Sequence, residues 1–182
     1  MSIETNWHVI TGGPSSGKST VIERLAVLGY ATIPEAARVL IDAETKKGRT
    51  ISEIRADEAD FQRRVLRMKI EIENKLPPEQ ITFFDRGIPD TIVYYRLCHL
   101  DTAPVIEESR KRRYRSVFFL EQLPFEKDYA RVEDGKTVEK LNQLLRKSYE
   151  NLGYEVIRVP AKPVEERVKF ILNRLNLWEN FS

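Results

Sequence analysis

Hydrophobic residues along this chain occur in two patterns, short uninterrupted runs and longer stretches in which apolar residues recur every three or four positions. The short runs predict buried strands, and the periodic stretches predict helices with one apolar face. The short runs lie at residues 7–11, 30–33, 81–85, 117–120 and 154–159. Because helical stretches separate these runs, the pattern predicts an α/β fold with a parallel sheet covered by helices on both faces.

The predicted helices differ in how clearly their ends are marked. Thr50 and Glu53 have the spacing of a capping box, which predicts that a long helix starts there and ends before Pro77. The apolar face of this helix consists of Ile54, Phe61, Val65, Met68 and Ile72. A charged stretch at 106–113 predicts a shorter helix, and Gly153 predicts the end of a later one.

A glycine-rich segment follows the first predicted strand and precedes the first predicted helix. It reads Gly12, Gly13, Pro14, Ser15, Ser16, Gly17, Lys18, Ser19 and Thr20, and contains the G-x-x-x-x-G-K-S pattern of a phosphate-binding P-loop. Glycines let the backbone turn tightly and approach an anion, while Lys18 is suited to reach the β- and γ-phosphates. The Ser19 hydroxyl is suited to bind Mg²⁺. The strand–loop–helix setting is the one that a P-loop requires, so residues 12–20 are predicted to bind a nucleoside triphosphate.

Composition limits the class of protein. With 182 residues, 41% of them hydrophobic and 32% charged, the chain is predicted to form one soluble domain over residues 1–182. A formal net charge of only +2 argues against a general nucleic-acid coat protein. The single cysteine, Cys98, excludes an internal disulfide. Since the sequence shows no signal-peptide pattern and no apolar run of about 20 residues, we expect a cytoplasmic protein.

Asp85 ends the apolar run at 81–85, which is the position of a Walker B aspartate. Its carboxylate is predicted to hold Mg²⁺, directly or through water, opposite the Ser19 hydroxyl. The alternative is an aspartate that only caps the turn at 87–89. We favour the metal role because phosphoryl transfer requires a held metal ion, and a P-loop is present in the same chain.

Other charged residues also follow predicted strands, at the sheet edge where ligands of parallel sheets bind. Glu35 is a candidate general base toward an acceptor hydroxyl, or a group that orients the water shell of the metal. Arg38 lies one helical turn later and is assigned to the acceptor side, although an ion pair with Glu35 is an equally open interpretation. Arg86 is a candidate for contacting a phosphate, with a structural role as the alternative. Asp90 is placed with Arg38 and Arg86 among the substrate-binding residues.

The stretch at 121–136 is a long connection for a compact domain and is predicted to form a lid. Arg131 is the only arginine in this stretch. We expect it to meet the triphosphate when the lid closes and excludes water. Its acidic neighbours leave a mixed-charge surface as the alternative.

The densest basic run lies at 110–115 and reads Arg-Lys-Arg-Arg-Tyr-Arg. Such a run is usually a solvated helix face, which is the favoured interpretation. An anionic partner such as RNA or an acidic lipid surface is the less favoured one. His8 and His99 lack the spacing of metal ligands, so no zinc site is predicted.

Three stretches together point to a known family: Thr-Gly-Gly-Pro-Ser-Ser-Gly-Lys-Ser-Thr at 11–20, Pro-Glu-Ala-Ala-Arg at 34–38 and Phe-Asp-Arg-Gly-Ile-Pro-Asp at 84–90. With them the chain resembles the NadR-like AAA-type ATPase family of P-loop proteins, close to the nicotinamide riboside kinase domain. The resemblance implies a three-layer P-loop NTPase fold, with a five-stranded parallel sheet in the order 2-3-1-4-5. It also implies ATP or GTP with Mg²⁺ as ligand, a Walker B role for Asp85 and a lid role for 121–136.

Two functions from different classes are compatible with these features. The leading hypothesis is a small-molecule kinase that transfers the γ-phosphoryl group of ATP to a nucleoside-like acceptor, with Lys18, Asp85, Glu35 and Arg131 as catalytic residues. The alternative is a nucleotide-gated binding protein that acts on a protein, lipid or RNA. An open pocket of acceptor size beside the P-loop would favour the kinase. A signalling GTPase is disfavoured because the chain has no N-K-x-D motif.

Overall fold

Helices and strands alternate along the residues that the computed structural model describes, 2–123 and 135–178. The strands are β1 (Ile3–Glu4), β2 (Trp7–Thr11), β3 (Ala31–Ile33), β4 (Thr82–Asp85), β5 (Arg112–Arg113), β6 (Ser116–Leu120) and β7 (Val156–Val159). The helices are α1 (Lys18–Val27), α2 (Ala36–Thr45), α3 (Ile51–Ile54), α4 (Glu58–Lys75), α5 (Ile88–Leu97), α6 (Ala103–Ser109), α7 (Gly135–Glu150) and α8 (Val164–Arg174). Within the described ranges, no helix combines the length and apolar character needed to cross a membrane.

Five of the strands form one sheet in the order β3-β4-β2-β6-β7, and every neighbouring pair in it is parallel. Counted among these five strands alone, the order is 2-3-1-4-5, as the family resemblance implied. The strand β2 is central, since Val9 has Phe84 of β4 on one side and Val117 of β6 on the other. The carboxyl end of β2, from which the glycine-rich segment starts, therefore lies in the middle of the sheet.

Apolar side chains cover both faces of the sheet because successive residues of a strand point to opposite sides. Ile10, Phe83 and Phe118 belong to one buried cluster with side chains from α1 and α8. Their strand neighbours Val9, Phe84 and Val117 belong to a second cluster, which includes Tyr149 of α7. Each such fully buried side chain contributes about 1.5–3 kcal/mol to folding. These two clusters attach helices to both faces of the sheet, which gives the arrangement of helices, sheet and helices that the hydrophobic pattern predicted.

The predicted long helix after Thr50 is in fact two helices. The capping box is confirmed, because the Glu53 amide donates to the Thr50 hydroxyl oxygen at 3.3 Å and the Thr50 amide donates to the Glu53 carboxylate at 2.8 Å. However, α3 ends at Ile54. The carboxylate of Asp57 then accepts from the Asp60 amide at 2.9 Å and caps a new helix, α4. The break arises because this second capping residue satisfies the start of a separate helix.

The basic run at 110–115 is part of the fold rather than the end of a helix. The helix α6 stops at Ser109, and Arg112 and Arg113 form the short strand β5, which pairs with β1. The Arg113 guanidinium donates to two backbone carbonyl oxygens and lies 3.9 Å from the centre of the Tyr154 ring. The interpretation as a solvated helix face is therefore wrong for Arg112 and Arg113. Their backbone pairs with β1 in a separate two-stranded parallel sheet.

His8 is buried in the central strand β2, with 2% of its surface exposed. Its Nδ1 atom has no hydrogen-bond partner, and its ring lies 5.1 Å from that of Phe83. Burial, together with the nearby charge of Arg115, lowers the pKa of His8 from 6.5 to about 4. The folded protein therefore keeps this imidazole neutral at pH values where the unfolded chain protonates it.

We expect the free energy of unfolding to fall as the pH drops below 6.5, because the unfolded chain then binds a proton that the folded chain refuses. The loss between pH 6.5 and pH 5 should reach about 2 kcal/mol. In the His8→Gln variant this contribution is absent, and urea titrations of both proteins at pH 7 and pH 5 measure the difference. Other groups, such as Glu73, titrate in both proteins, so their contributions cancel when the two losses in free energy of unfolding are compared. Equal losses in the two proteins would contradict the prediction.

Candidate functional site

The backbone of residues 12–20 is shaped to receive an anion. Gly12 has a φ of 144°, and a Cβ atom there would lie 2.8 Å from the carbonyl oxygen of Leu120, so only glycine fits. Gly17 has a φ of 85° and directly precedes α1. Within the described chain, none of the backbone N–H groups of residues 15–19 has a hydrogen-bond acceptor. Unpaired donors at the start of a helix form the arrangement that binds phosphate groups.

Lys18 is the first residue of α1, and 7% of its surface is exposed. Its Nζ atom donates to the carbonyl oxygen of Gly13 at 2.6 Å and to the hydroxyl of Ser16 at 3.2 Å. Burial, together with the charge of Arg86, lowers the pKa of Lys18 from 10.5 to about 8. A bound anion would reverse this shift, because it would supply the negative charge that the buried ammonium lacks.

Asp85 ends β4 and lies beside the start of α1. The Ser19 hydroxyl donates to Oδ2 of Asp85 at 3.1 Å, while Oδ1 is buried without a hydrogen-bond partner. Burial and the nearby Glu35 raise the pKa of Asp85, so a cation there would favour its charged form. A hydroxyl and an unpartnered carboxylate oxygen are ligands that suit Mg²⁺, whose remaining positions are usually filled by waters and substrate phosphates. Ser19 and Asp85 thus fit the predicted metal ion.

Arg86 follows Asp85 in the left-handed backbone region, with a φ of 69°. It is 6% exposed, and its guanidinium donates to Glu35 at 3.1 Å and to Asp90 at 3.2 Å. Burial lowers the pKa of Arg86, but coulombic interactions with Tyr94, Asp90 and Glu35 outweigh this effect and hold the pKa above its ordinary value. Glu35 thus pairs with Arg86, and the alternative ion pair between Glu35 and Arg38 does not form in the described structure. Arg38 is exposed on α2 and is not among the residues that line the cavity described below.

Asp90 lies beneath the site rather than in it. It is fully buried, and its carboxylate accepts hydrogen bonds from the hydroxyls of Thr11 and Tyr149, both at 2.5 Å. It also accepts from the Gly87 amide at 2.9 Å and from Arg86. These four donors occupy both oxygens, so the predicted contact of Asp90 with substrate is corrected. The side chain instead joins the strand that leads into the P-loop to the turn after β4.

A cavity of about 510 Å³ opens beside the P-loop, a size that suits a small organic molecule. Lys18 and Ser19 line it, and so do Glu35 and Arg86. Beyond the P-loop, its apolar and aromatic lining residues are Ala37, Ile41, Phe61, Val65, Tyr94 and Leu141. The other polar ones are Arg55, Gln62, Lys69 and Thr91. One continuous cavity therefore extends from the P-loop backbone to an apolar and aromatic wall.

Lys69 is a lining residue that the sequence analysis missed. It is buried in α4, and its ammonium donates to the carbonyl oxygen of Gly87 at 2.7 Å and to the hydroxyl of Thr91 at 3.1 Å. Burial lowers its pKa. The sequence carried one signal that Lys69 is buried: polar residues at 62, 69 and 73 recur at helical spacing with Leu66. In the structure, all four of these residues are buried.

The predicted lid residue Arg131 lies outside the described residues, as does most of the stretch 121–136. The described part of that stretch consists of residues 121–123 and the first two residues of α7. The lid role and the contact of Arg131 with a triphosphate therefore stay predictions.

A parallel sheet of order 2-3-1-4-5, with a G-x-x-x-x-G-K-S loop between its central strand and the following helix, defines the class as an α/β protein with the P-loop kinase-like fold. The family model of the AAA domain family AAA_28 matches residues 7–167. The chain belongs to this family, which confirms the predicted P-loop class. No curated protein shows significant sequence similarity to the chain.

Solved structures with the same fold include several nucleoside or nucleotide kinases. A NadR protein in complex with NR has a TM-score of 0.68 and 16% identity over 94% of this chain and 50% of that one. A deoxyadenosine kinase from M. mycoides has a TM-score of 0.57 and 19% identity over 93% of this chain and 98% of that one. A thymidylate kinase from Ehrlichia chaffeensis has values of 0.62 and 16%, over 95% and 99%. The chain thus spans about half the length of the NadR chain.

Proposed function

We propose that this chain is a Mg²⁺-dependent kinase that transfers the γ-phosphoryl group of ATP to a hydroxyl of a small, nucleoside-like acceptor. The observation that carries the proposal is the cavity of about 510 Å³, which is continuous with the P-loop. The cavity extends from the P-loop to an apolar and aromatic wall, and a protein that only senses its nucleotide has no need of such an extension. The fold shared with kinases of small molecules is consistent with this function.

The reaction would join the acceptor oxygen to the γ-phosphorus, break the bond from that phosphorus to the β,γ-bridging oxygen, and release ADP. Glu35 is the proposed base for the acceptor proton, because it lines the cavity while the carboxylate of Asp85 faces Ser19. Arg86 holds Glu35 in place through their 3.1 Å ion pair. Lys18 and the amides of residues 15–19 would stabilise the charge on the transferred group.

Ser19 and Asp85 would hold Mg²⁺, which supplies charge neutralisation between the β- and γ-phosphates when it is bound. Arg131 is proposed as a further phosphate contact from the lid, and Arg38 as an outer acceptor contact. The acceptor itself is proposed to carry a flat ring, since Phe61 and Tyr94 line the cavity. Residues 1–182 are proposed to form one domain. ATP is the proposed donor, and GTP is the alternative donor.

The decisive experiment is a screen of nucleosides and other hydroxyl compounds for transfer of label from γ-labelled ATP in the presence of Mg²⁺. We expect at least one ring-bearing acceptor to become labelled, and the Glu35→Gln variant to label it about 100-fold more slowly. Binding of ATP without any labelled acceptor would instead favour a nucleotide-gated binding protein. A Glu139→Gln variant, which changes an exposed carboxylate of α7, serves as the matched control.

Nucleotide affinity should decrease as the pH rises above 8. The pKa of Lys18 is about 8 in the ligand-free protein, whereas bound phosphates would keep the ammonium protonated. Binding therefore takes up a proton at higher pH, and the Kd should rise by up to about tenfold per pH unit between pH 8 and the pKa of the complex. Calorimetry at pH 7.5, 8.5 and 9.5 measures the slope. A Lys18→Arg variant should bind with no such slope, since its guanidinium does not titrate there.

A further inference from the structure

Arg167 is a buried arginine that the proposed reaction does not use. It lies in α8 on the opposite face of the sheet from Asp90 and is 2% exposed. The described residues place no carboxylate within ion-pair distance of it. Its guanidinium instead donates to three backbone carbonyl oxygens, those of Ser16 at 2.5 Å, Glu121 at 2.7 Å and Pro160 at 3.0 Å.

The three carbonyl groups belong to three separate segments that follow strands. Ser16 is in the P-loop after β2, Glu121 directly follows β6, and Pro160 directly follows β7. Arg167 therefore joins the carboxyl ends of three adjacent strands. An arginine suits this arrangement because its planar group spreads its donors over three nitrogen atoms, each of which reaches one carbonyl group, whereas the three donors of a lysine share one nitrogen.

The bond to Ser16 fixes the direction of one P-loop amide. A trans peptide is planar, so the carbonyl of Ser16 and the N–H of Gly17 point in opposite directions. With the carbonyl turned toward Arg167, the Gly17 N–H points away from α8. This N–H has no acceptor within the described chain, and Gly17 lines the cavity. A Cβ atom on Gly17 would lie 3.4 Å from the guanidinium, which shows how closely Arg167 supports the loop.

We infer that Arg167 is a positioning residue for phosphate binding. It holds the Ser16–Gly17 peptide with its N–H directed at the anion, and it fixes the P-loop against the segments after β6 and β7. The inference rests on the proposed nucleotide binding, since it assigns the orientation of a donor to that ligand. Burial of a charge without a carboxylate partner is unfavourable in itself, and an anion bound across the loop would offset it.

The test compares Arg167→Lys and Arg167→Ala with Arg174→Ala, which removes an exposed arginine from the last turn of the same helix. Calorimetry measures the Kd of ATP with Mg²⁺ and of tripolyphosphate with Mg²⁺, at a temperature where circular dichroism shows each variant folded. We expect both Kd values to rise at least about tenfold for the two Arg167 variants and to stay unchanged for the control. Tripolyphosphate matters because it reports on the P-loop alone.

A second measurement separates positioning from stability. In protein labelled with ¹⁵N-glycine, tripolyphosphate should shift the Gly17 amide signal strongly downfield in the wild type, because the N–H donates to an anion, and weakly in Arg167→Lys. Kd values within about twofold of the control, with an unchanged Gly17 shift, would overturn the inference. So would a failure of both variants to fold, which would make Arg167 a residue of the fold alone. If the wild type itself binds neither ligand, the proposed function fails together with the inference.

Discussion

The Lys18→Ala variant is expected to lose the thermal stabilisation that ATP with Mg²⁺ gives to the wild type. At 100 times its Kd, a ligand adds about 2.7 kcal/mol to the free energy of unfolding, which raises the Tm of a chain of this size by about 5–10 °C. Removal of the ammonium deletes charge-assisted hydrogen bonds to the phosphates and should weaken binding about 100-fold. At the same ATP concentration, the variant should then gain only about 1 °C.

The ligand-free Lys18→Ala protein should melt no lower than the wild type. Burial and Arg86 lower the pKa of Lys18 to about 8, so its charge is unfavourable in the empty fold. Lys75→Ala, which removes an exposed lysine at the end of α4, is the control and should keep the full ATP response. Scanning calorimetry with and without ATP measures the Tm of all three proteins. A variant that still binds ATP with wild-type affinity would refute the P-loop assignment.

The Asp85→Asn variant is expected to uncouple nucleotide binding from Mg²⁺. The amide keeps the size of the side chain and its contact with Ser19 but cannot supply a carboxylate oxygen to the metal. The affinity of the nucleotide complex for Mg²⁺ should therefore fall at least about tenfold. Phosphoryl transfer should fall about 100- to 1000-fold, because charge on the transferred group loses its counter-ion. Titrations of ATP in Mg²⁺ and in EDTA measure the first effect, and label transfer measures the second.

Folding of the Asp85→Asn protein should be intact, since burial already raises the pKa of this carboxyl and disfavours its charge. Asp42→Asn, at an exposed position of α2, is the matched control and should keep the Mg²⁺ dependence. If Asp85→Asn shows the same difference between Mg²⁺ and EDTA as this control, the metal assignment of Asp85 is wrong.

The fold was predictable from the sequence because its strands are apolar runs and its first loop has a fixed pattern. The runs ending at Thr11 and Asp85 form β2 and β4, two neighbouring inner strands of the sheet, and both were predicted. The strand pair β1–β5 was missed, since two residues on each strand carry no recognisable period. The break between α3 and α4 was missed because the apolar spacing continues across it from Ile54 to Phe61.

The sequence could predict candidate site residues that follow a strand along the chain, but it was less able to predict those whose position depends on packing. Lys18, Ser19, Glu35 and Arg86 line one cavity, as adjacent strand ends implied. Sequence position could not show which carboxylate is buried, so Asp90 was assigned to substrate although four donors surround it.

The buried basic residues of the site were missed for the same reason. Lys69 and Arg167 lie far from the loop in sequence and bind backbone carbonyl oxygens. Helical spacing indicated that Lys69 is buried, but residue types do not show which carbonyl oxygens a side chain reaches. Only the tertiary structure brings their side chains to these carbonyl groups.

The residues that line the cavity come from different parts of the chain. The P-loop lines one side of the cavity, whereas most of the remaining lining residues belong to one continuous stretch, residues 35–69, between β3 and β4. Under the proposed kinase function, exchange of that stretch between related proteins should change the acceptor and leave the P-loop intact. A chimera that receives residues 35–69 from a relative should therefore phosphorylate the acceptor of that relative.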